Sequence, residues 1–255
     1  MTPSRFLIIN ADDLGISPEV NRGIFAAYEK GVITDSTLLI KAQYSREAID
    51  MLRSTPSFHV GVHINLDPLL GWESPGKEKL TRQELHRLMS ESSFIRKIKQ
   101  EINEQIEAFL DTGLIPSHID THHHVHGVPR IFEPLLKAMD RYGIKGIRFS
   151  KKGYFLMGRE DILITEETAQ WMEEMLRTKG IFFPHHLIDP LFPFSLKELP
   201  FGVTELIVHP GMGGDEWRQR DFEMLMDPCF MTTVREEEIE LTSYFKEALR
   251  YNRAG

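Results

Sequence analysis

Short apolar runs alternate with helical patterns along the whole chain, and this alternation restricts the fold more than any other feature. Phe6 to Asn10 is a near-continuous apolar run of the kind that forms a parallel strand covered on both faces. It leads through Ala11-Asp12-Asp13-Leu14-Gly15 to Ser17, an N-cap residue followed by Pro18 at the first helical position. Val20, Ile24, Ala27 and Tyr28 then repeat at helical spacing until Gly31 ends the helix. Further strands are predicted over 33–41, 58–66, 118–126, 146–150 and 204–208. Helices are predicted from Ser45 as a cap through Leu52, over 81–111 with a break near 90–93, over 129–142 and over 165–179. The run Arg235-Glu-Glu-Glu-Ile-Glu-Leu is read as the start of a final helix, and 67–79 as an exposed loop that could act as a lid. With no repeat, low-complexity tract or linker, residues 1–255 read as a single α/β domain with a mainly parallel sheet, doubly wound or closed. Asp12-Asp13, His63, the histidines from His122 to His126, Arg148 and His209 all fall where a strand gives way to a loop. That clustering favours a (β/α) barrel of about seven strands with its active site on the βα loops.

Residues 118–126, His-Ile-Asp-Thr-His-His-His-Val-His, hold five of the chain's 11 histidines. On a strand, His118, Asp120, His122, His124 and His126 would share one face. Such a row must face water, bond internally or ligate a cation, because unpartnered buried polar groups are costly, and imidazole and carboxylate are ordinary ligands for zinc and related ions. An Asp from the 12–13 pair, His63 and a histidine of the row would make a facial triad with open positions. The other Asp of the pair could take a proton, and His209, in a tight His-Pro-Gly turn, could return one. Each residue taken singly also has a plain structural reading: an Asp capping a helix, or a satisfied strand-end histidine. His185-His186 gives no geometry and reads as incidental or as a substrate wall.

The formal net charge of -8 and the absence of a Lys/Arg stripe argue against nucleic acid and anionic membrane as partners. No apolar run approaches the ~20 residues of a membrane span, and the opening residues lack a signal-peptide pattern, so a cytoplasmic protein is expected. The lone Cys229 allows no internal disulfide, and its surroundings offer nothing to activate a thiol. A homodimer is compatible with an acidic chain of this size.

Asn10-Ala-Asp-Asp-Leu-Gly15, Gly31-Val-Ile-Thr34 with Ser36-Thr37, Gly61-Val-His-Ile-Asn-Leu66, the 118–126 row and Val208-His-Pro210 together resemble the YdjC-like carbohydrate deacetylases, which include chitooligosaccharide deacetylases. The resemblance implies a barrel related to the NodB-type deacetylases and one divalent metal, Mg or Zn. It also implies hydrolysis of the N-acetyl group of a small amino sugar or chitooligosaccharide, releasing acetate. By the same resemblance Asp13, His63 and His122 would be the metal ligands, Asp12 the base and His209 the acid. Arg148 would steady the catalytic Asp, while His118, Asp120, His124 and His126 would support the ligands or touch substrate. Trp72 and Trp217 lie in irregular loops, where each could stack on a sugar ring or wedge its loop onto the core. Rival readings are a barrel phosphoesterase or amidohydrolase, distinguished by two ions about 3.5–4 Å apart, and a non-catalytic sugar- or metal-binding protein.

Overall fold

A computed structural model describes residues 4–71, 87–149, 165–190 and 194–254. Its strands are β1 (Arg5–Leu14), β2 (Asp35–Leu38), β3 (Val60–Ile64), β4 (Ile119–Thr121), β5 (His186–Ile188), β6 (Gly202–Val208) and β7 (Ile239–Leu241). They form one seven-stranded sheet in the order β4-β3-β2-β1-β6-β5, and every pairing is parallel. β6 pairs along Arg5 to Ala11 of β1, so β2 and β7 divide the other edge between them: β2 pairs from Asn10 onward and β7 pairs with Arg5 to Leu7. Beyond β4, the 146–148 segment forms single bridges from Ile147 to Ile119 and from Gly146 to Phe182, which joins the run leading into β5. These bridges bring the two ends of the sheet together, so it curls into a barrel whose narrowest seam is 146–148. The predicted strand over 146–150 is therefore a pair of bridges, with Ser150 outside the described residues.

The connecting helices include α1 (Pro18–Glu29), α2 (Ser45–Arg53), the short α3 (Asp67–Leu70), α4 (Ser92–Leu110), α5 (Pro129–Tyr142), α6 (Glu166–Thr178), α7 (Glu216–Met226), α8 (Pro228–Glu236) and α9 (Tyr244–Ala254). Ser17 caps α1, its hydroxyl accepting from Val20 N, with Pro18 following. Thr165 caps α6 in the same way. Ser45 is the first helical residue of α2 rather than its cap; the cap position is Tyr44, which makes no side-chain cap bond. On α4, Ile98, Ile102, Ile106 and Phe109 are fully buried at helical spacing, each stabilising the shell by roughly 1.5–3 kcal/mol. No described helix is long and apolar enough to cross a membrane.

The acidic run at 235–241 does not open the last helix. Arg235 and Glu236 close α8, Glu238 takes a left-handed φ of 52°, and Ile239–Leu241 becomes β7. Only then does α9 begin, and the buried Asp35 carboxylate accepts its first backbone N–H, that of Tyr244, at 3.2 Å. The predicted loop over 67–79 opens as α3 and Gly71, and the rest of it lies outside the described residues, as does Trp72.

Candidate active site

β1 brings Asp12 and Asp13 to the C-terminal rim of the barrel, β3 brings His63, the turn after β4 brings His122, and the residue after β6 is His209. Adjacent residues on a regular strand point apart, yet both acidic side chains enter the site. Asp13 has a φ of 67°, in the left-handed region, and the β1–β2 register slips between Ala11 and Leu14. That irregularity turns the second carboxylate inward, a device bulges commonly provide near active sites.

Three donor atoms meet there. Asp13 Oδ1 lies 3.1 Å from His122 Nδ1 and 3.4 Å from His63 Nε2, and the two nitrogens are 3.3 Å apart. Atoms bound about 2.0–2.2 Å from one ion sit roughly 3.0–3.5 Å from each other, so the trio has the spacing of a coordination shell. Asp13 Oδ1 is buried without a hydrogen-bond partner, since neither ring nitrogen meets it in bonding alignment. Its other oxygen accepts from Arg218 Nη2 at 2.6 Å. His63 Nδ1–H donates to Asp120 Oδ1 at 2.6 Å, the two residues facing each other in the β3–β4 register. That bond selects the tautomer that leaves Nε2 available to a cation. Thr37 donates to the second Asp120 oxygen at 3.2 Å.

Arg148 is fully buried and binds three carboxylates. Its Nη1 and Nη2 donate to Asp12 at 2.7 and 2.5 Å, Nη1 also lies 2.8 Å from Asp120 Oδ2, and Nε donates to Glu205 Oε1 at 2.9 Å. Tyr244 closes the chain by donating to Glu205 Oε2 at 2.5 Å. Burial alone would raise the Asp12 carboxyl, but the Arg148 guanidinium outweighs it and holds the group well below the usual carboxylate range. Asp13 is likewise held low against burial by the His122 and His63 rings beside it. Burial would lower His63, but Asp120, followed by Asp13 and Asp12, outweighs it, and its pKa is pushed up to about 10. Formally, the buried carboxylates Asp12, Asp13, Asp120 and Glu205 face only two buried guanidiniums, Arg148 and Arg218. With His63 neutral as a ligand, that leaves an excess of negative charge for a cation to offset. Spacing, the unpartnered oxygen, tautomer and charge therefore all fit a metal ion at Asp13, His63 and His122, one of the described groups able to hold one. Another, Asp12 with His63 and Asp120, already has its carboxylates bound by Arg148.

His209 Nε2 is 3.8 Å from Asp12 Oδ2, and its backbone N–H donates to Asp221 Oδ2 at 2.8 Å. Trp217 sets its ring edge-on to His209 at 5.3 Å and lies under the Arg218 guanidinium, 4.3 Å from the ring centroid.

The one-face row from His118 to His126 does not survive. β4 ends at Thr121, and His123 and His124 both adopt left-handed φ values, 56° and 54°, so strand alternation stops after His122. Asp120 and His122 reach the site. His118 instead lies stacked on Tyr244 at 3.8 Å, in space left by Gly61, where an added Cβ would come within 2.7 Å of its ring. Burial and Arg148 hold His118 well below the usual imidazole range. His126 is buried and bonded through Nδ1 to Thr121 Oγ1 at 2.7 Å, and His124 is buried 6.1 Å from it, ring to ring. His185 and His186 lie at the opposite end of the barrel: His185 Nδ1 accepts from Val203 N, and His186 Nε2 is 3.3 Å from Phe201 O, both beside the start of β6. Seven residues of strand separate them from His209, about 20 Å, so they are no substrate wall. Sequence reasoning missed Arg218, Asp67, Asp221 and Glu205. Only Glu205 left a trace, as a charge inside the apolar strand Thr204-Glu-Leu-Ile-Val.

Fold and site together define a parallel α/β barrel carrying an Asp-His-His group able to hold a cation, beside an Asp/His pair. The YdjC-like protein family model matches residues 6–236, and the chain belongs to that family. A carbohydrate deacetylase of Brevibacillus brevis is 31% identical over 262 residues, covering 93% of this chain and 98% of the relative. One of Clostridium beijerinckii is 28% identical over 256 residues, covering 93% and 98%. Among solved structures, a putative cellobiose-phosphate cleavage protein of Enterococcus faecalis superposes with a TM-score of 0.73 at 23% identity, covering 96% of this chain and 99% of that one.

Proposed function

We propose that this chain, as one catalytic domain, is a metal-dependent deacetylase that hydrolyses the N-acetyl group of a small amino sugar or chitooligosaccharide and releases acetate. The observation that carries the reading is the convergence of the Asp13, His63 and His122 donor atoms beside Asp12 and His209. The name carried by the curated relatives supports it. Asp13, His63 and His122 would hold the ion, and two imidazoles in the set favour zinc over magnesium. When bound, the cation would supply Lewis acidity toward the acetamide oxygen and lower the pKa of a neighbouring water.

Within that frame Asp12, ionised and fixed by Arg148, takes the proton of the attacking water. His209 gives a proton to the departing sugar amine, without which an amide cannot expel its nitrogen. Their 3.8 Å separation allows the proton taken by Asp12 to return to His209, so the pair resets after each turnover. Trp217 holds the His209 ring and forms part of the sugar wall. The non-catalytic reading leaves this acid and base pair without a task.

Incubation of the metal-loaded protein with diacetylchitobiose should release acetate. Tight sugar binding with no acetate from a broad N-acetyl sugar panel would reject the reading in favour of a binder. Metal affinity should also rise with pH. Without metal, His63 keeps its proton up to about pH 10, so binding must displace that proton anywhere in the neutral range. Each pH unit from 6 to 8 should tighten binding about tenfold, with about one proton released per ion. Chelator competition at three pH values checks this, and a flat profile would contradict the His63 assignment.

A further inference from the structure

We propose that the turn after β4 builds a second cation site from Asp67, His123 and the far nitrogen of His122, suited to a nitrogen-preferring divalent ion such as zinc. One ligand atom from each of these residues lies within 4.8 Å of the other two. Asp67 Oδ1 is 3.1 Å from His123 Nδ1, and Asp67 Oδ2 is 3.7 Å from His122 Nε2. The His122 and His123 rings sit 4.0 Å apart, centroid to centroid. Because His122 turns Nδ1 toward Asp13 and His63, its two nitrogens serve two separate donor sets, and the ring stands as a bridge between them.

Three further features belong to a built site. Asp67 is 6% exposed, and its ion-pair partners are the two imidazoles alone, with no Lys or Arg among the described residues. The Asn65 side chain accepts the Asp67 backbone N–H at 2.9 Å and so anchors the carboxylate at the start of α3. Finally, the backbone pays for this arrangement: His123 and His124 hold successive left-handed conformations, which fold His123 back over His122 and onto Asp67. The His122 and His123 side chains are 21% and 31% exposed, which gives an ion a way in.

Two imidazoles and one carboxylate select zinc, cobalt or nickel over magnesium. With metal–nitrogen distances near 2 Å on either side of one ring, two ions would stand about 6 Å apart. Two-metal hydrolases hold their ions about 3.5–4 Å apart, so the second ion does not share the attacking water. It acts instead through His122, drawing electron density from the ring that also serves the first ion.

The test is a metal count. Metal-free protein, Asp67→Asn and His123→Gln are each equilibrated with zinc or with magnesium, freed of excess and measured by plasma mass spectrometry, with circular dichroism checking the fold. The expected result is two zinc ions per chain, falling to one in either variant, and no more than one magnesium. A single zinc that survives both variants overturns the proposal, and so do two zinc ions that neither variant reduces. The count also separates this site from the deacetylase reading. Two zinc ions lost in this pattern with no acetate released would sink that reading and leave the second site standing, and acetate release with a single zinc would do the reverse.

Discussion

His122→Ala should release the ion at the Asp13–His63 centre and reduce acetate production by roughly 10³-fold or more. One oxyanion donor is worth about 10²–10³ in rate, and a divalent cation at the same place exceeds a single neutral donor. Folding should survive. The His122 side chain is 21% exposed and touches chiefly the donor groups, so its removal leaves no buried partner outside the site unsatisfied. Metal content by mass spectrometry and acetate release by coupled assay should fall together while the circular dichroism spectrum stays unchanged. A variant that keeps its metal and its activity would remove His122 from the ligand set. His63→Ala is a poorer probe, because it also strips Asp120 of its nearest imidazole.

Arg148→Met should have the largest effect on stability, about 3–5 kcal/mol, read as a lower denaturant midpoint. The fully buried guanidinium binds Asp12, Asp120 and Glu205, so removing it leaves three buried carboxylates short of their counter-charge. Activity should change in a diagnostic way. Burial raises the Asp12 carboxyl and Arg148 is the strongest influence lowering it, so in the variant Asp12 binds protons at higher pH. The acid limb of the rate profile should move upward by at least one pH unit, whereas a purely structural loss would scale the whole profile down without moving it. Arg148→Lys should recover part of the stability and little of the profile, since one ammonium cannot form the fork that Asp12 receives. Wild-type stability in Arg148→Met would refute the charge argument.

The barrel was legible because apolar runs and helical periodicity are local signals that survive in a single chain. Strand ends drew together an Asp of the 12–13 pair, His63 and a histidine of the 118–126 row, while the choice of Asp13 and His122 within them came from the family resemblance; the structure brings those three donor groups side by side. What failed was the extrapolation of strand alternation through 118–126. Two consecutive left-handed histidines ended the strand early, and nothing in a His-His-His run announces that backbone. The same limitation hid how two neighbouring aspartates could serve one site, because the answer lies in the φ of Asp13. Arg218 was invisible for another reason: it meets Asp13 across 205 residues of sequence, and its own surroundings in Trp217-Arg-Gln-Arg220 look like an ordinary solvated helix face. The final helix was misplaced because an acidic run with helical composition was cut by the left-handed Glu238 and gave up its apolar end to β7.

The partition of one edge of β1 between β2 and β7 bears on how the molecule is made. Arg5 to Leu7 find their neighbours Ile239 to Leu241 only after the long stretch of sequence between the two strands has been synthesised. Until then that stretch presents open backbone donors and acceptors, an invitation to pair with foreign strands. Contacts of such long sequence separation also slow closure. Production of this protein should therefore be governed less by its final stability than by how well β1 is shielded while it waits for β7.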